Sequence, residues 1–126
     1  MIPPPVSQVK LNKREVTIIG SLSRRLGIYH RNVLCRIGLA ISLADPKEPR
    51  ILQPEDALPQ GTIEISWETF SGSYGEIYSS LVRDHWIKSG SQQGLDDYFS
   101  ALLSRGLARM SSIKSLDWFT SATFLK

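Results

Sequence analysis

The sequence has few of the residues that form disulfides and metal sites. It contains one cysteine, Cys35, and two histidines, His30 and His85. A single cysteine excludes a disulfide within the chain, and so few thiol and imidazole groups argue against a structural zinc site. The glycine-bearing stretches GSYG and SGSQQG lack the lysine of a phosphate-binding loop. We therefore expect neither a metal nor another cofactor.

Long apolar runs are missing as well. The longest, Ile37 to Ala44, is interrupted by Ser42 and is far too short to cross a bilayer. The N-terminal residues MIPPPVSQ lack the basic and then apolar order of a signal peptide. We therefore expect a cytoplasmic protein with no membrane contact. At 126 residues, of which 41% are hydrophobic and 21% charged, the chain fits a single domain spanning residues 1–126.

Acidic residues are scarce in the first third of the chain. Residues 1–44 hold seven lysines and arginines against one acid, Glu15, which gives a net charge of +6. Residues 45–126 hold eight against eleven, a net charge of −3, so the whole chain carries +3. This division predicts that the N-terminal third faces a polyanion. The alternative is an ordinary solvated surface on which the excess charge is incidental.

The N-terminal third begins with a predicted strand and a predicted helix. Alternation over residues 6–11 indicates a short, half-buried strand. Asn12 and Glu15 have the spacing of a capping box, in which each side chain accepts an unpaired backbone N–H. We therefore expect a first helix over Lys13–Leu26, ended by Gly27 in the left-handed conformation.

A second helix is expected to start near His30 to Asn32 and to end at Asp45, because Pro46 cannot continue it. It is apolar on nearly every side, so we expect both later segments of the chain and a partner subunit to bury it. Its first turn, with His30 and Arg31 at the positive end of the helix dipole, is a candidate anion site.

The rest of the chain predicts one more strand and two longer helices. The prolines of residues 46–61 indicate an extended loop, and residues 62–67 alternate as a strand. A glycine-bearing bend precedes a third helix from Glu76 to about Lys88. Its predicted apolar face consists of Ile77, Tyr78, Leu81, Val82 and Trp86. A fourth helix begins at Leu95 and is ended or bent by Gly106. A short helix and an apolar tail then follow, with Ile113, Leu116, Trp118 and Phe119.

The two sides of the first predicted helix differ in chemistry. The inner arc is aliphatic and consists of Val16, Ile18, Ile19, Leu22 and Leu26. The outer arc is basic or hydroxylic and consists of Lys13, Arg14, Thr17, Ser21, Arg24 and Arg25. Surface helices held by ion pairs usually mix both signs, so this composition indicates phosphate contact. The residues predicted to bind DNA are Lys10, Lys13, Arg14, Arg24, Arg25 and Arg31, and Gln8 is the one candidate for reading a base.

Catalysis has weaker candidates. Cys35 and His30 are five residues apart on a helix and so point about 140° apart, which prevents a thiolate–imidazole pair. We expect Cys35 to be a small buried residue and His85 a hydrogen-bonded core histidine. The pair Asp96 and Asp97 complements the dipole at the start of a helix. We therefore expect a protein that is not an enzyme.

The order of a short strand, a capped helix and a second, largely buried helix is that of a ribbon-helix-helix unit, whose strands pair between two subunits. We therefore expect a mainly α fold with short β-strands. It would comprise a ribbon-helix-helix-like unit at residues 6–45 and a helical C-terminal part at residues 62–126, in an oligomer. The runs SRRLGIYHRNVLCRIGLAISLAD and ISWETFSGSYGEIYSSLVRD go further, since they resemble the DNA sulfur modification protein DndE family.

The resemblance implies a non-catalytic, DNA-binding subunit of the bacterial machinery that replaces a non-bridging phosphate oxygen with sulfur. It implies that the protein works beside the DndC and DndD proteins, with sulfur supplied by a cysteine desulfurase. It also implies a homotetramer that prefers nicked duplex DNA. Two alternatives stay open on the residues alone. One is a ribbon-helix-helix transcriptional repressor, and the other is a scaffold subunit whose cations meet acidic protein partners.

Overall fold

The structure is a computed structural model that describes residues 2–52 and 63–114. The described residues form two short strands and five α-helices, with a single 3₁₀ turn at Gly72–Tyr74. In chain order these are β1 (Gln8–Leu11), α1 (Lys13–Leu26), α2 (Arg31–Leu43), β2 (Ile63–Ser66), α3 (Trp67–Ser71), α4 (Gly75–Ser89) and α5 (Leu95–Met110). The mainly helical prediction is confirmed. Residues 53–61 of the predicted 46–61 loop, and the apolar tail after residue 114, lie outside the described residues.

The two strands pair within the chain. β1 runs antiparallel to β2, and Val9 lies opposite Ile65, where both side chains are buried. A ribbon-helix-helix dimer would instead pair β1 with the same strand of a second copy. The ribbon-helix-helix interpretation is therefore not confirmed.

The second strand is shorter than predicted. The alternation of residues 62–67 suggested that Trp67 belongs to the strand, but Trp67 begins α3. The hydroxyl of Ser66 accepts a hydrogen bond from the backbone N–H of Thr69 at 3.2 Å, which caps the helix N-terminus. Trp67 is nevertheless buried, and its ring contacts those of Phe70 and Phe99 in the core.

The capping box and the terminating glycine place α1 where the sequence predicts it. The side-chain oxygen of Asn12 accepts from the Glu15 backbone N–H at 2.8 Å, and a Glu15 carboxylate oxygen accepts from the Asn12 backbone N–H at 2.9 Å. Gly27 ends the helix with a φ of 71°. Ile19, Leu22 and Leu26 are buried, as expected for the inner arc.

Helix α2 packs most extensively against α5, and a pair of glycines allows their close approach. A Cβ atom on Gly106 would overlap the backbone carbonyl of Gly38. Gly106 was predicted to end or bend α5. It does not end the helix, which continues to Met110, and it allows close helix packing instead. α2 itself ends at Leu43, two residues before the predicted end.

Helix α4 is oriented differently from the prediction. Of the predicted apolar face, Val82 is buried, but Ile77 is 57% exposed and Leu81 is 48% exposed. The buried residues of this helix are Ser79, Val82 and His85. A Cβ atom on Gly75 would lie 3.2 Å from the Trp67 ring nitrogen, so the start of α4 packs too closely on α3 for a large side chain. None of the helices in the described ranges is long and apolar enough to span a membrane.

Candidate nucleic-acid interface

The outer arc of α1 carries exposed cations. Lys13, Arg14 and Arg24 are all exposed, and we call these three residues the basic face. Glu15, the one acid of residues 1–44, is 5% exposed and its carboxylate caps the start of the helix. The acid is therefore turned away from solvent, and the outer surface of α1 presents cations and hydroxyl groups.

Lys10 lies beside an acid. In the β1–β2 register it pairs directly with Glu64 on the neighbouring strand, and both residues are exposed. Opposite charges at such a position attract each other and partly cancel at a distance. Gln8, the candidate for reading a base, is also exposed and lies across from Ser66. Lys10 thus adds less positive potential than the sequence alone suggests.

Arg25 has a structural task. Its Nη1 atom donates to the backbone carbonyl of Ser111 at 3.2 Å and to that of Ile113 at 2.9 Å. Its Nη2 atom donates to the Ser21 hydroxyl at 3.0 Å. These bonds satisfy carbonyls just beyond the end of α5 and attach that end to α1. The predicted role of Arg25 in DNA contact remains a prediction, and a change at this residue would also disturb the fold.

The turn between α1 and α2 extends the cationic surface. Arg31 is the first residue of α2, and His30 is its N-cap without a side-chain capping bond; both are exposed. The adjoining Tyr29 ring is 76% exposed. Backbone N–H groups at the start of a helix favour an anion in general, and the anion site predicted at this turn remains a prediction. The exposed tyrosine was missed, since nothing in its spacing distinguishes it from a core residue.

A second group of cations lies in the groove between α1 and α5. Arg14 of the basic face lines a pocket together with Arg50 and Arg105. The other described lining residues are Leu52, Ala101, Ser104 and Ala108. Arg50 and Arg105 were not predicted as site residues, because only the folded chain brings them to Arg14.

Arg105 is held in a fixed position by α2 and the turn after it. Its Nε and Nη2 atoms donate to the hydroxyl and carbonyl of Ser42, at 3.0 and 2.8 Å. Nη1 donates to the carbonyl of Lys47 at 2.7 Å, and Nη2 also donates to the carbonyl of Asp45 at 3.1 Å. Partial burial lowers the pKa of Arg105, while the nearby Asp45 carboxylate opposes that change.

Asp45 is the acid of this region. Its carboxylate lies 2.7 Å from Nη2 of Arg109 and 3.9 Å from Nη1 of Arg105. The Lys47 backbone N–H, followed by the Arg109 guanidinium, lowers the pKa of Asp45 to about 2. The carboxylate therefore stays charged at neutral pH and ties the end of α2 to α5.

The catalytic candidates are placed as the sequence predicts. Cys35 is fully buried, and burial, with a smaller effect of the Glu15 charge, raises the pKa of its thiol to about 12. The two ring nitrogens of His85 each lie 2.6 Å from a partner, the Tyr98 hydroxyl and the Asp45 carbonyl. Within the described ranges no cluster of three or more histidine, cysteine or acidic side chains could hold a metal.

Asp96 and Asp97 lie in the first turn of α5, as predicted, and both are exposed. A carboxylate oxygen of Asp96 accepts from the Asp97 backbone N–H at 2.9 Å. This arrangement satisfies an unpaired donor at the helix start and needs no catalytic explanation.

Comparison with known proteins identifies a similar solved structure and a matching family. No curated protein matches the chain. Among solved structures, the fold is similar to the crystal structure of DndE from Escherichia coli B7A involved in DNA phosphorothioation modification, with a TM-score of 0.62 and 18% sequence identity. That match covers 87% of this chain and 98% of the other. The family described as DNA sulphur modification protein DndE matches residues 8–117. Because that match spans most of the 126 residues, the chain belongs to the DndE family and has a part in DNA sulphur modification.

Proposed function

We propose that the protein is a non-catalytic, DNA-binding subunit of the bacterial DNA phosphorothioation machinery. The observation that carries the proposal is the basic face, where Lys13, Arg14 and Arg24 are exposed while the neighbouring Glu15 is buried. Exposed cations on one side of a rigid helix suit the regularly spaced phosphates of a duplex. Family membership supplies the context, because sulfur modification acts on that same backbone.

The proposed contacts are with phosphate rather than with base edges. Arg24 and Arg31 flank the turn between α1 and α2, and Lys13 and Arg14 lie at the other end of α1. Each phosphate contact releases counterions, so the logarithm of the affinity should fall by about 0.9 per contact for each unit of log salt concentration. Four contacts per chain would therefore give a slope of about −3.6.

Assembly completes the proposal. We propose a cytoplasmic homotetramer that works beside DndC and DndD and binds intact or nicked duplexes. Exposed apolar side chains on α4 and at its N-cap support assembly, since Ile77 and Leu81 of the helix are 57% and 48% exposed and the N-cap Tyr74 is 58% exposed. Several copies would multiply the few cations that each chain provides, which matters for a chain of net charge +3.

The rival functions make different predictions. A ribbon-helix-helix repressor uses β1 to pair with a second copy, whereas β1 here already pairs with β2 along one edge. A repressor should also prefer its operator by about a thousandfold or more over random duplex. A scaffold subunit should not bind DNA even at low salt.

Fluorescence anisotropy with labelled intact and nicked duplexes of random sequence, at two salt concentrations, tests the proposal. We expect binding at low salt, a steep loss at higher salt, and a small ratio between unrelated sequences. Absence of binding at low salt would favour the scaffold, and a strong preference for one sequence would favour the repressor.

A further inference from the structure

The turn between α1 and α2 carries an exposed aromatic ring among cations. Tyr29 is 76% exposed, the highest value among the large apolar side chains of the described residues. Its ring contacts no other aromatic ring in that part of the chain. Arg24 before it and Arg31 after it are also exposed, and no acidic residue occurs between positions 16 and 44. The charged side chains nearest to Tyr29 in the sequence are therefore all positive.

The turn that carries Tyr29 is held at both ends. The backbone N–H of Gly27 donates to the carbonyl four residues earlier at 3.0 Å and closes α1. At the start of α2, the side-chain amide of Asn32 donates to the Thr69 carbonyl at 3.2 Å, which attaches the turn to α3. Ile28 packs against the hydrophobic core. A ring presented by an anchored turn loses little conformational freedom when it binds a ligand, which favours binding.

A single exposed tyrosine needs no explanation on its own, but the position of this one suits a nucleic acid. Arg24 and Arg31 flank the turn, so a strand whose phosphates contact both arginines passes the Tyr29 ring. Aromatic side chains stack on nucleobases, and because every base has a π-face this stacking tolerates any sequence. Bases inside an intact duplex are stacked on their neighbours. Only an unpaired base therefore offers the ring a free face.

We propose that Tyr29 stacks on an unpaired nucleobase beside the phosphates that Arg24 and Arg31 contact. The phosphate contacts rest on the proposed function, and the stacking adds a second kind of ligand, the face of a base. Tyr29 then gives DNA that contains an unpaired base an advantage over an intact duplex, whichever base is unpaired. Phosphate contacts alone provide no such advantage.

Three labelled duplexes of the same length, compared by fluorescence anisotropy, test the stacking. The first is intact, and the second has a gap that leaves a short run of thymines unpaired. The third has the same gap with abasic sites in place of those thymines, so the two gapped duplexes share their phosphates and differ only in the bases. We expect the wild type to bind the thymine gap about fivefold or more tighter than the abasic gap.

Variants at position 29 assign that preference to the ring. Tyr29→Ala should bind the two gapped duplexes equally, with a loss of about fivefold or more on the thymine gap and unchanged affinity for the intact duplex. Tyr29→Phe keeps the ring and should keep the wild-type preference. Ile87→Ala is the matched control, because Ile87 is 71% exposed but lies on α4, and it should also keep the preference. Circular dichroism and light scattering check the fold and the oligomer mass of each variant.

The outcomes separate the stacking from the proposed function. Equal wild-type affinity for the two gapped duplexes, or a thymine preference that survives in Tyr29→Ala, would overturn the stacking, and binding of the intact duplex would leave the proposed function standing. A lower oligomer mass in Tyr29→Ala would also overturn it, because the ring would then belong to an interface between copies. A thymine preference that depends on Tyr29, without binding of the intact duplex, would support the stacking and contradict the proposed duplex contact. Absence of binding to all three duplexes would contradict both.

Discussion

Replacing Gly106 with alanine should force α2 and α5 apart. The added methyl group would overlap the carbonyl of Gly38, and backbone atoms cannot rotate away as a side chain can. Gly38 is itself crowded, since a Cβ atom there would lie 3.1 Å from the Leu107 side chain. The two helices therefore cannot accommodate an added methyl group at this crossing without moving apart.

Two opposing effects set the size of the change. Alanine in a helix interior gains about 0.5–1 kcal/mol over glycine. Overpacking a close helix crossing costs about 1–3 kcal/mol, and a clash with backbone belongs at the upper end of that range. We expect Gly106→Ala to lose about 2 kcal/mol of net stability, which corresponds to a fall in Tm of roughly 6–10 °C for a domain of this size.

Gly20→Ala is the matched control. Gly20 lies inside α1, and the nearest atom to an added Cβ is an Arg24 guanidinium nitrogen at 3.8 Å, which is ordinary contact. This variant should gain the helix propensity alone, so its Tm should rise by about 2–4 °C. Thermal denaturation followed by circular dichroism measures both. If Gly106→Ala is as stable as Gly20→Ala, the close crossing of α2 and α5 is wrong.

Three further predictions follow from other parts of the fold. The pKa of Asp45 is lowered from its ordinary 3.8 to about 2, so its stabilising effect is present above pH 3.8 and is lost as the pH falls towards 2. Acid unfolding of Asp45→Asn should accordingly show a shallower loss over that range than the wild type. Leu81→Asp should lower the oligomer mass in light scattering with little change in Tm, whereas Val82→Asp, at a fully buried position, should unfold the chain. Because the Cys35 thiol is buried with a pKa of about 12, a thiol reagent should react with the native protein no faster than the protein unfolds.

Helix α1 could be predicted from the sequence because its signals are local. The capping box of Asn12 and Glu15 and the terminating Gly27 act within a few residues of the helix ends, and all three serve as predicted. The cationic outer arc of α1 was predicted from the helical periodicity of its residues. Local rules also identified Cys35 as buried and His85 as a hydrogen-bonded core residue.

Features that depend on distant elements could not be predicted in the same way. An apolar stripe on α4 gave no sign that Ile77 and Leu81 would face away from the chain's own core. The structural bonds of Arg25 depend on where α5 ends, and the approach of Arg50 to Arg14 depends on how the segment after α2 returns. Tertiary packing determines these features, and neither hydrophobic periodicity nor capping motifs encode it.

The central claim is that exposed cations of α1 bind DNA phosphates, and the salt dependence of duplex binding by Arg24→Gln tests it most directly. Lys88→Gln is the control, because Lys88 lies on α4 and pairs with Asp84 at 3.1 Å. We predict that Arg24→Gln weakens binding alike for all sequences and reduces the magnitude of the salt slope by about 1. Lys88→Gln should leave both affinity and slope unchanged. An Arg24→Gln protein with wild-type affinity and slope would contradict the account.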